Sequence, residues 1–450
     1  MINRLSISSF FVLSLLLILL TSCSSDKATT SSVIEVPSAD GDAIDVLWQN
    51  TVTEVLSQDL WSSRDMYDTA HVLMQPMQYA FANNDADKMA EFDLFFDRLD
   101  VNFSDAQSTS RVALTQFMFF VSEYLVIKSD QGDFGTVQSS LENKLRNWWV
   151  NFVDSEAWMW DVDPFPNVWS RLEWKLDVTE PNYSYYKAMF DEELYSLAMM
   201  ANFIHLQKAG NLASGQEDFN RLSEQAVPLL KRILQEEVDF TNRYDGTTRF
   251  NWSFQTGVWW QHKDFIYAGN AELASDLEPS PIENIALDSA HMHRWPVWLK
   301  TYARAFADDA PMLTYLEQLR TGYTQQFNEF VYTKSDNDFK APRMVNYFDG
   351  RNGVYRFQHV TQGESGYGPY QNSSILFYGW YGNLIEADQF VADIERLLEN
   401  NLRLSDFELA TYVGPNTTRE RNPLFALPSY FTDGMAELNI RITLAMLKSQ

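Results

Sequence analysis

Ala43-Ile44-Asp45-Val46-Leu47-Trp48-Gln49-Asn50-Thr51-Val52-Thr53-Glu54-Val55-Leu56-Ser57-Gln58-Asp59 sets the rhythm of this 450-residue chain. Its apolar residues return every three or four positions, which places them on one face of an α-helix. The same period recurs in 66–83, 86–98, 108–127 and 135–151, then in the longer stretches 184–208 and 216–238. It returns in 286–307, 311–330, 371–382, 385–400 and 430–448. Short breaks separate these segments, such as Ser129-Asp130-Gln131-Gly132-Asp133 and Ala307-Asp308-Asp309-Ala310-Pro311, where Pro311 suits the first turn of a helix. Helices of this length on short connections pack as antiparallel neighbours. No fixed-period repeat is present. The expected fold is therefore mainly α, a closed (α/α) toroid of antiparallel helical hairpins over residues 43–450, with small β-hairpin and loop insertions.

Two stretches break the helical rhythm. Residues 241–270 and 340–370 are rich in Gly, Asn, aromatics and Arg. Phe348-Asp349-Gly350-Arg351-Asn352-Gly353-Val354-Tyr355 carries two hairpin-turn signals, Asp-Gly and Asn-Gly. Long loops in a compact fold usually carry function, and these are too aromatic for disorder. They are expected to form the walls of a site.

The N-terminus reads differently. Arg4 precedes the apolar run Phe10-Phe11-Val12-Leu13-Ser14-Leu15-Leu16-Leu17-Ile18-Leu19-Leu20, which ends at Thr21-Ser22-Cys23. A basic start, a short apolar core and small residues at its end make a signal peptide over 1–22. Leu20-Thr21-Ser22-Cys23 resembles the lipobox of bacterial lipoproteins, and Cys23 is the single cysteine of the chain. That resemblance implies lipidation at Cys23 and residence in the cell envelope, with Ser24 pointing to the outer membrane. Residues 23–42, rich in Ser, Thr, Asp and Ala, read as a flexible tether.

Composition narrows the partners. Asp and Glu number 61 against 34 Lys and Arg, a net charge of −27, so nucleic acid is excluded as a general partner. An anionic ligand would need a local basic patch, for which Lys334, Lys340, Arg343, Arg351 and Arg356 are candidates, against Asp336, Asp338 and Asp349. No metal or cofactor is called for: His-Glu-x-x-His is absent, and His291 and His293 are not at the i, i+4 spacing one helix face needs.

The densest set of candidate catalytic groups is Asp288-Ser289-Ala290-His291-Met292-His293-Arg294-Trp295-Pro296. At a helix start Asp288 can cap, and His291 and Arg294 then share its face. Trp259-Trp260-Gln261-His262-Lys263-Asp264-Phe265-Ile266-Tyr267 suits a sugar-binding surface, with aromatic faces for a pyranose and polar groups for its hydroxyls. Glu364-Ser365-Gly366-Tyr367-Gly368-Pro369-Tyr370-Gln371-Asn372 adds two tyrosines and an amide, and is not a Gly-x-Ser-x-Gly nucleophile elbow. His71 and His205 lie inside apolar helices and read as structural, whereas His359 stands in the second loop. Asp191-Glu192-Glu193 reads first as acidic residues at a helix N-terminus.

The helical hairpins, the two aromatic loops and this set of polar groups broadly resemble the (α/α)-toroid polysaccharide lyases and glycosidases. The resemblance is one of architecture and leaves the chemistry open. The lyase it implies would cleave a uronate-containing glycan by β-elimination. Arg294 with Asn270 or Asn372 would neutralise the C6 carboxylate, His291 or His262 would take the C5 proton, and Tyr267 or Tyr367 would protonate the leaving oxygen. Trp259, Trp260, Trp295, His359 and Tyr370 would bind sugar. A glycoside hydrolase would instead pair Asp288 with Glu192, Glu193 or Glu364. A non-catalytic glycan-binding lipoprotein would rely on the tryptophans alone.

Overall fold

The computed structural model describes residues 38–62, 64–241, 250–358, 366–415 and 421–449. The signal peptide, Cys23, most of the tether, His359 and Glu364 lie outside the described residues. The chain is mainly helical, as its periodicity predicts. In order come α1 (Ser38–Asn50), α2 (Val52–Leu56), α3 (Met66–Ala82), α4 (Ala86–Val101), α5 (Arg111–Asp130), α6 (Thr136–Val153), α7 (Val168–Asp177), α8 (Asp191–Lys208) and α9 (Glu217–Glu236). Then follow α10 (Ser289–Met292), α11 (Trp295–Tyr302), α12 (Ala310–Gln326), α13 (Asp388–Glu399), α14 (Asp406–Val413), α15 (Ser429–Thr432) and α16 (Met435–Lys448). Among the described residues three two-stranded antiparallel ladders interrupt them: β1 (Ala157–Met159) with β2 (Val162–Phe165), β3 (Val238–Phe240) with β4 (Trp252–Phe254), and β5 (Tyr332–Thr333) with β6 (Arg343–Met344).

Helix α1 begins inside the stretch read as a flexible tether, and residues 38–42 belong to the helix. The stretch 371–382 forms two 3-10 turns, Ser373–Tyr378 and Trp380–Asn383, broken at Gly379, whose φ is +87°. A Cβ there would sit 2.7 Å from the Gln75 side chain, so the chain needs glycine at this crossing. The stretch 286–307 is not one helix. Asp288 caps α10, the helix stops at His293, and α11 restarts with Pro296 in its first turn, where a missing N–H costs nothing.

The helices sort by sequence into inner and outer. Helices α5 and α8 are buried almost all round, from Phe117 to Val126 and from Leu194 to Phe203. By length and composition α5 is apolar enough to cross a membrane, but it is a core helix. Helices α9 and α13 bury one stripe each, Phe219, Leu222, Ala226, Leu230 and Ile233 in one, Phe390, Ile394 and Leu397 in the other, and turn charges outward except for Asp393, which is buried against Tyr332 and Ser335. The buried helices pack in succession: α3 on α5, α5 on α8, α8 on α11, α11 on the turn at 380–383, that turn on α16, and α16 back on α3. Helix α4 lies on α3, α6 on α5, α9 on α8, α12 on α11 and α13 on α16.

Buried ion pairs and hydrogen bonds join these helices. The buried Glu123 carboxylate of α5 accepts from Arg304 at 2.6 Å and from Asn202 and Thr301 at 2.9 Å. These bonds clamp α5 to α8, to α11 and to the turn that follows it. Burial pushes the Glu123 carboxyl up, but Arg304 and the two hydrogen bonds outweigh it and hold it below its usual range.

Candidate active site

The two aromatic loops meet. The Arg356 amide donates to the Asp264 carbonyl at 2.9 Å, and the Val354 amide to the Asn270 carbonyl at 3.0 Å. Phe265 packs against Tyr347 and Tyr355 with ring centroids 5.9 and 5.4 Å apart. The Asp349-Gly350 turn forms as its sequence predicts, with Gly350 at φ +97°. Asn352-Gly353 is no hairpin turn. Gly353 is needed because a Cβ there would lie 1.7 Å from the Ala268 carbonyl oxygen of the other loop. Asn346 ties the second loop together, donating to the Gly353 and Gly368 carbonyls at 2.9 and 2.8 Å. Its own carbonyl takes the Ser289 amide at 2.8 Å, which fixes the start of α10.

At that start Asp288 is fully buried. One carboxylate oxygen accepts the His291 amide at 3.1 Å, and the other lies 2.6 Å from His291 Nδ1. Burial raises the Asp288 carboxyl, but the His291 ring, Arg356 and the His291 amide together hold it below the ordinary range. An ionised carboxylate only accepts, so Nδ1 carries a proton, and Nε2 is the ring nitrogen left to face the cleft. The His291 side chain is 24% exposed, and Nε2 sits 3.8 Å from Asp191 Oδ2 at the N-terminus of α8. Asp191 in turn takes Arg294 Nη1 at 2.7 Å, while Arg294 Nη2 donates to Tyr67 Oη at 3.2 Å and lies 3.5 Å from His71 Nε2. Asp288, His291, Asp191, Arg294 and Tyr67 thus form one connected polar edge drawn from α3, α8, α10 and the start of α11.

This edge lines two cavities that adjoin, because both are bounded by Val112, Asp191, His291, Tyr355 and Arg356. One, of about 310 Å³, is walled by Trp158, Trp160, Phe190, Trp259 and Phe265. The other, of about 340 Å³, is walled by Arg64, Tyr67, Arg294, Tyr367 and Arg421. Arg356 stands at the junction with φ +54°, and its Nε donates to Asp264 Oδ2 at 3.0 Å. A left-handed arginine is a strained choice kept where a side chain must be aimed. Burial keeps the Tyr355 and Tyr367 phenols above their ordinary pKa, against the pull of Arg356, so both retain their protons at neutral pH.

The candidates named from sequence divide. Asp288, His291, Arg294, Tyr367, Asn372 and Trp259 line these cavities. Arg294 is almost wholly buried and committed to Asp191, and Asn372 Nδ2 turns to the Asn346 carbonyl at 3.4 Å. His262 sits behind the first cavity, its ring 5.2 Å from Tyr185 and 5.4 Å from Trp259. Tyr267 packs on Phe357, and Asn270 spends its amide on the Tyr267 and Glu278 carbonyls. Trp260 borders neither cavity, and Trp295 is fully buried among Trp252, Phe254 and Trp298. Tyr370 lies under the Arg343 guanidinium, 4.6 Å away, beside a third cavity. Of the basic patch, only Arg356 reaches the cleft, since Arg343 pairs with Asp336 and Arg351 with Asp349.

Glu193 is locked beneath the floor, and Glu192 lines the aromatic cavity, both held by cations. Arg171 donates to both at 2.6 Å, and Lys175 donates to Glu193 at 2.8 Å. Burial raises the Glu193 carboxyl, but Arg171 and Lys175 outweigh it and keep it anionic. Sequence reading missed Tyr67, Asp68, Asp191, Tyr355, Arg356 and Arg421 as neighbours of one cleft. Their separation along the chain hides them, and only the Asp191 helix start and the Arg356 patch left a local signal. Among the described residues no set of three His, Cys, Asp or Glu side chains converges as a metal site. No protein-family model, no curated protein and no solved structure matches this chain.

Proposed function

We propose that this chain is a lipid-anchored polysaccharide lyase that cleaves a uronate-containing glycan by β-elimination on an (α/α)-toroid scaffold. The toroid reading is supported by the succession of inner helices that returns from α16 to α3, each backed by an outer partner. The single observation that carries the enzymatic reading is the Asp288–His291 pair, with Nε2 facing a cleft that also holds Arg356 and Tyr367.

The chemistry follows from these groups. Arg356 receives the C6 carboxylate, in place of the Arg294 expected from sequence, and lowers the cost of charge building at C5. His291 Nε2 takes the C5 proton, and Asp288 holds the ring and stabilises the cation formed. The C5–H electron pair forms the C4–C5 double bond as the C4–O bond breaks. Tyr367, which retains its proton, gives it to the leaving oxygen. Arg294 positions Asp191 and Tyr67 on the same edge.

A hydrolase needs one carboxyl that is protonated near neutral pH. Asp288 and Glu193 are held as anions, whereas burial raises the Asp68 carboxyl, which lines the polar cavity beside Arg64 and Arg421. A hydrolase with Asp68 as its acid is therefore the second reading, and products without a double bond would select it. Supply of uronate polysaccharides to the full chain, with the absorbance of unsaturated products followed over time, tests the proposal. Wild type is expected to produce that absorbance and His291→Ala to abolish it with its melting curve retained. Turnover unchanged in His291→Ala removes the base from the scheme.

A further inference from the structure

The two adjoining cavities differ in charge as well as lining. Among the described residues, the polar cavity presents Arg64, Arg294, Arg356 and Arg421 against Asp68 and Asp191. The aromatic cavity presents Arg111, Arg171 and Arg356 against Asp191, Glu192, Asp264 and Asp288. One half is therefore net positive within a protein of net charge −27, and the other is net negative. Arg171 is also committed to the protein: Nε donates to Glu193, Nη1 to the Trp158 carbonyl and Nη2 to Glu192, each at 2.6 Å. A carboxylate entering the aromatic half would lose water and meet more negative charge than positive.

That half offers rings instead. Trp158 projects from the β1–β2 hairpin with 58% of its surface exposed and lines this cavity. Beside it Trp160 stacks on Tyr186 at 5.8 Å and meets Tyr185 and Phe190 edge-on at 4.9 and 5.0 Å. Such rings cover the C–H face of a sugar and offer a carboxylate no partner. His291 and Arg356 mark the boundary between the halves.

We infer that the cleft is built for an alternating copolymer, with the uronate in the polar half and an uncharged sugar on the Trp158–Trp160 side. The bond cut is the one that crosses the boundary at His291. This rests on the lyase reading for the cleavage step, and on charge and lining alone for the choice of sugar.

Calorimetric titration of the full-length His291→Ala variant tests it with three hexasaccharides: hyaluronan, which alternates glucuronate and N-acetylglucosamine, oligomannuronate, and uncharged cellohexaose. The hyaluronan hexasaccharide is expected to bind about tenfold or more tighter than either other probe. Trp158→Ala, an exposed position that leaves the core intact, is expected to weaken hyaluronan binding about tenfold and oligomannuronate binding less than about twofold. Equal or tighter binding of oligomannuronate overturns the inference, as does an equal loss for both probes in Trp158→Ala. Wild-type protein assayed beside these separates the two readings. Preferred cleavage of oligomannuronate with unsaturated ends keeps the lyase and sinks the alternating substrate. Selective binding of hyaluronan without any unsaturated product keeps the two halves and sinks the lyase.

Discussion

Replacing Asp288 by Asn separates the two tasks of this residue. As a helix cap, Asn is as good as Asp, so the His291 amide keeps an acceptor and α10 keeps its start. As partner of His291 the two differ. The 2.6 Å contact to Nδ1 is a charge-assisted hydrogen bond, stronger by about 1 kcal/mol or more than its neutral counterpart. The amide also leaves the imidazolium formed during catalysis without a buried counter-charge, and it can donate to Nδ1, which puts the ring proton on Nε2. A base in the wrong tautomer cannot accept. Since a positioned base supplies about 10²–10⁴-fold in rate, kcat is expected to fall by that range in Asp288→Asn, with KM little changed. The loss of a buried anion also lightens the desolvation load, so the melting temperature is expected to move by less than about 3 °C. Asp288→Ala should lose the same activity and a further ~1 kcal/mol of stability from the cap. The assay is the initial rate of unsaturated-uronate formation, with thermal melts on the same samples. A kcat for Asp288→Asn within about threefold of wild type refutes the dyad.

Four further outcomes follow from other parts of the molecule. Burial, reinforced by Arg294, keeps His71 and His293 neutral well below 6.5, where they titrate once unfolded, so the unfolded chain binds more protons beneath that pH. Stability should thus fall as pH drops from about 6.5, by up to ~1.4 kcal/mol per unit for each ring, before the paired carboxylates titrate. Urea melts at pH 7.5 and 5.5 with equal midpoints would contradict this. Arg171→Met strands Glu192 and Glu193 with less counter-charge in the core, and should destabilise by about 3–5 kcal/mol in the same melts. Gly353→Ala drives a methyl into the Ala268 carbonyl and should part the two loops, with loss of activity out of proportion to any loss of helix by circular dichroism. Cys23→Ala should move the protein from the membrane fraction to the soluble fraction, and membrane retention equal to wild type would count against lipidation.

What could be read in advance depended on how local the signal was. The helices at 66–82, 86–101 and 217–236 follow directly from apolar spacing, because burial of one face is written in the sequence of that helix alone. Asp288 as a cap and the need to seat Pro296 in a first turn were legible for the same reason. Helix α7 was not, since Val168–Asp177 follows a short β-hairpin and holds its Arg171 and Lys175 inward against Glu193 on α8. Trp295 shows the converse error: next to His291 and Arg294 it resembles a site residue, yet the restart of the helix at Trp295 turns its ring into the core. Arg356, Tyr67 and Asp191 come from three distant segments, and nothing in the chain near any one of them names the other two. The convergence of the loops at 241–270 and 340–370 was readable from composition, while the pairing of Gly353 with Ala268 that enforces it was not.

Product analysis after incubation of the full chain with a uronate-containing polysaccharide tests the central claim most directly. Mass spectrometry of the new ends should show the polymer cut without gain of water, with a C4–C5 double bond on one fragment, in wild type and not in His291→Ala. Fragments each increased by one water, or intact polymer recovered bound to the protein, would contradict the account.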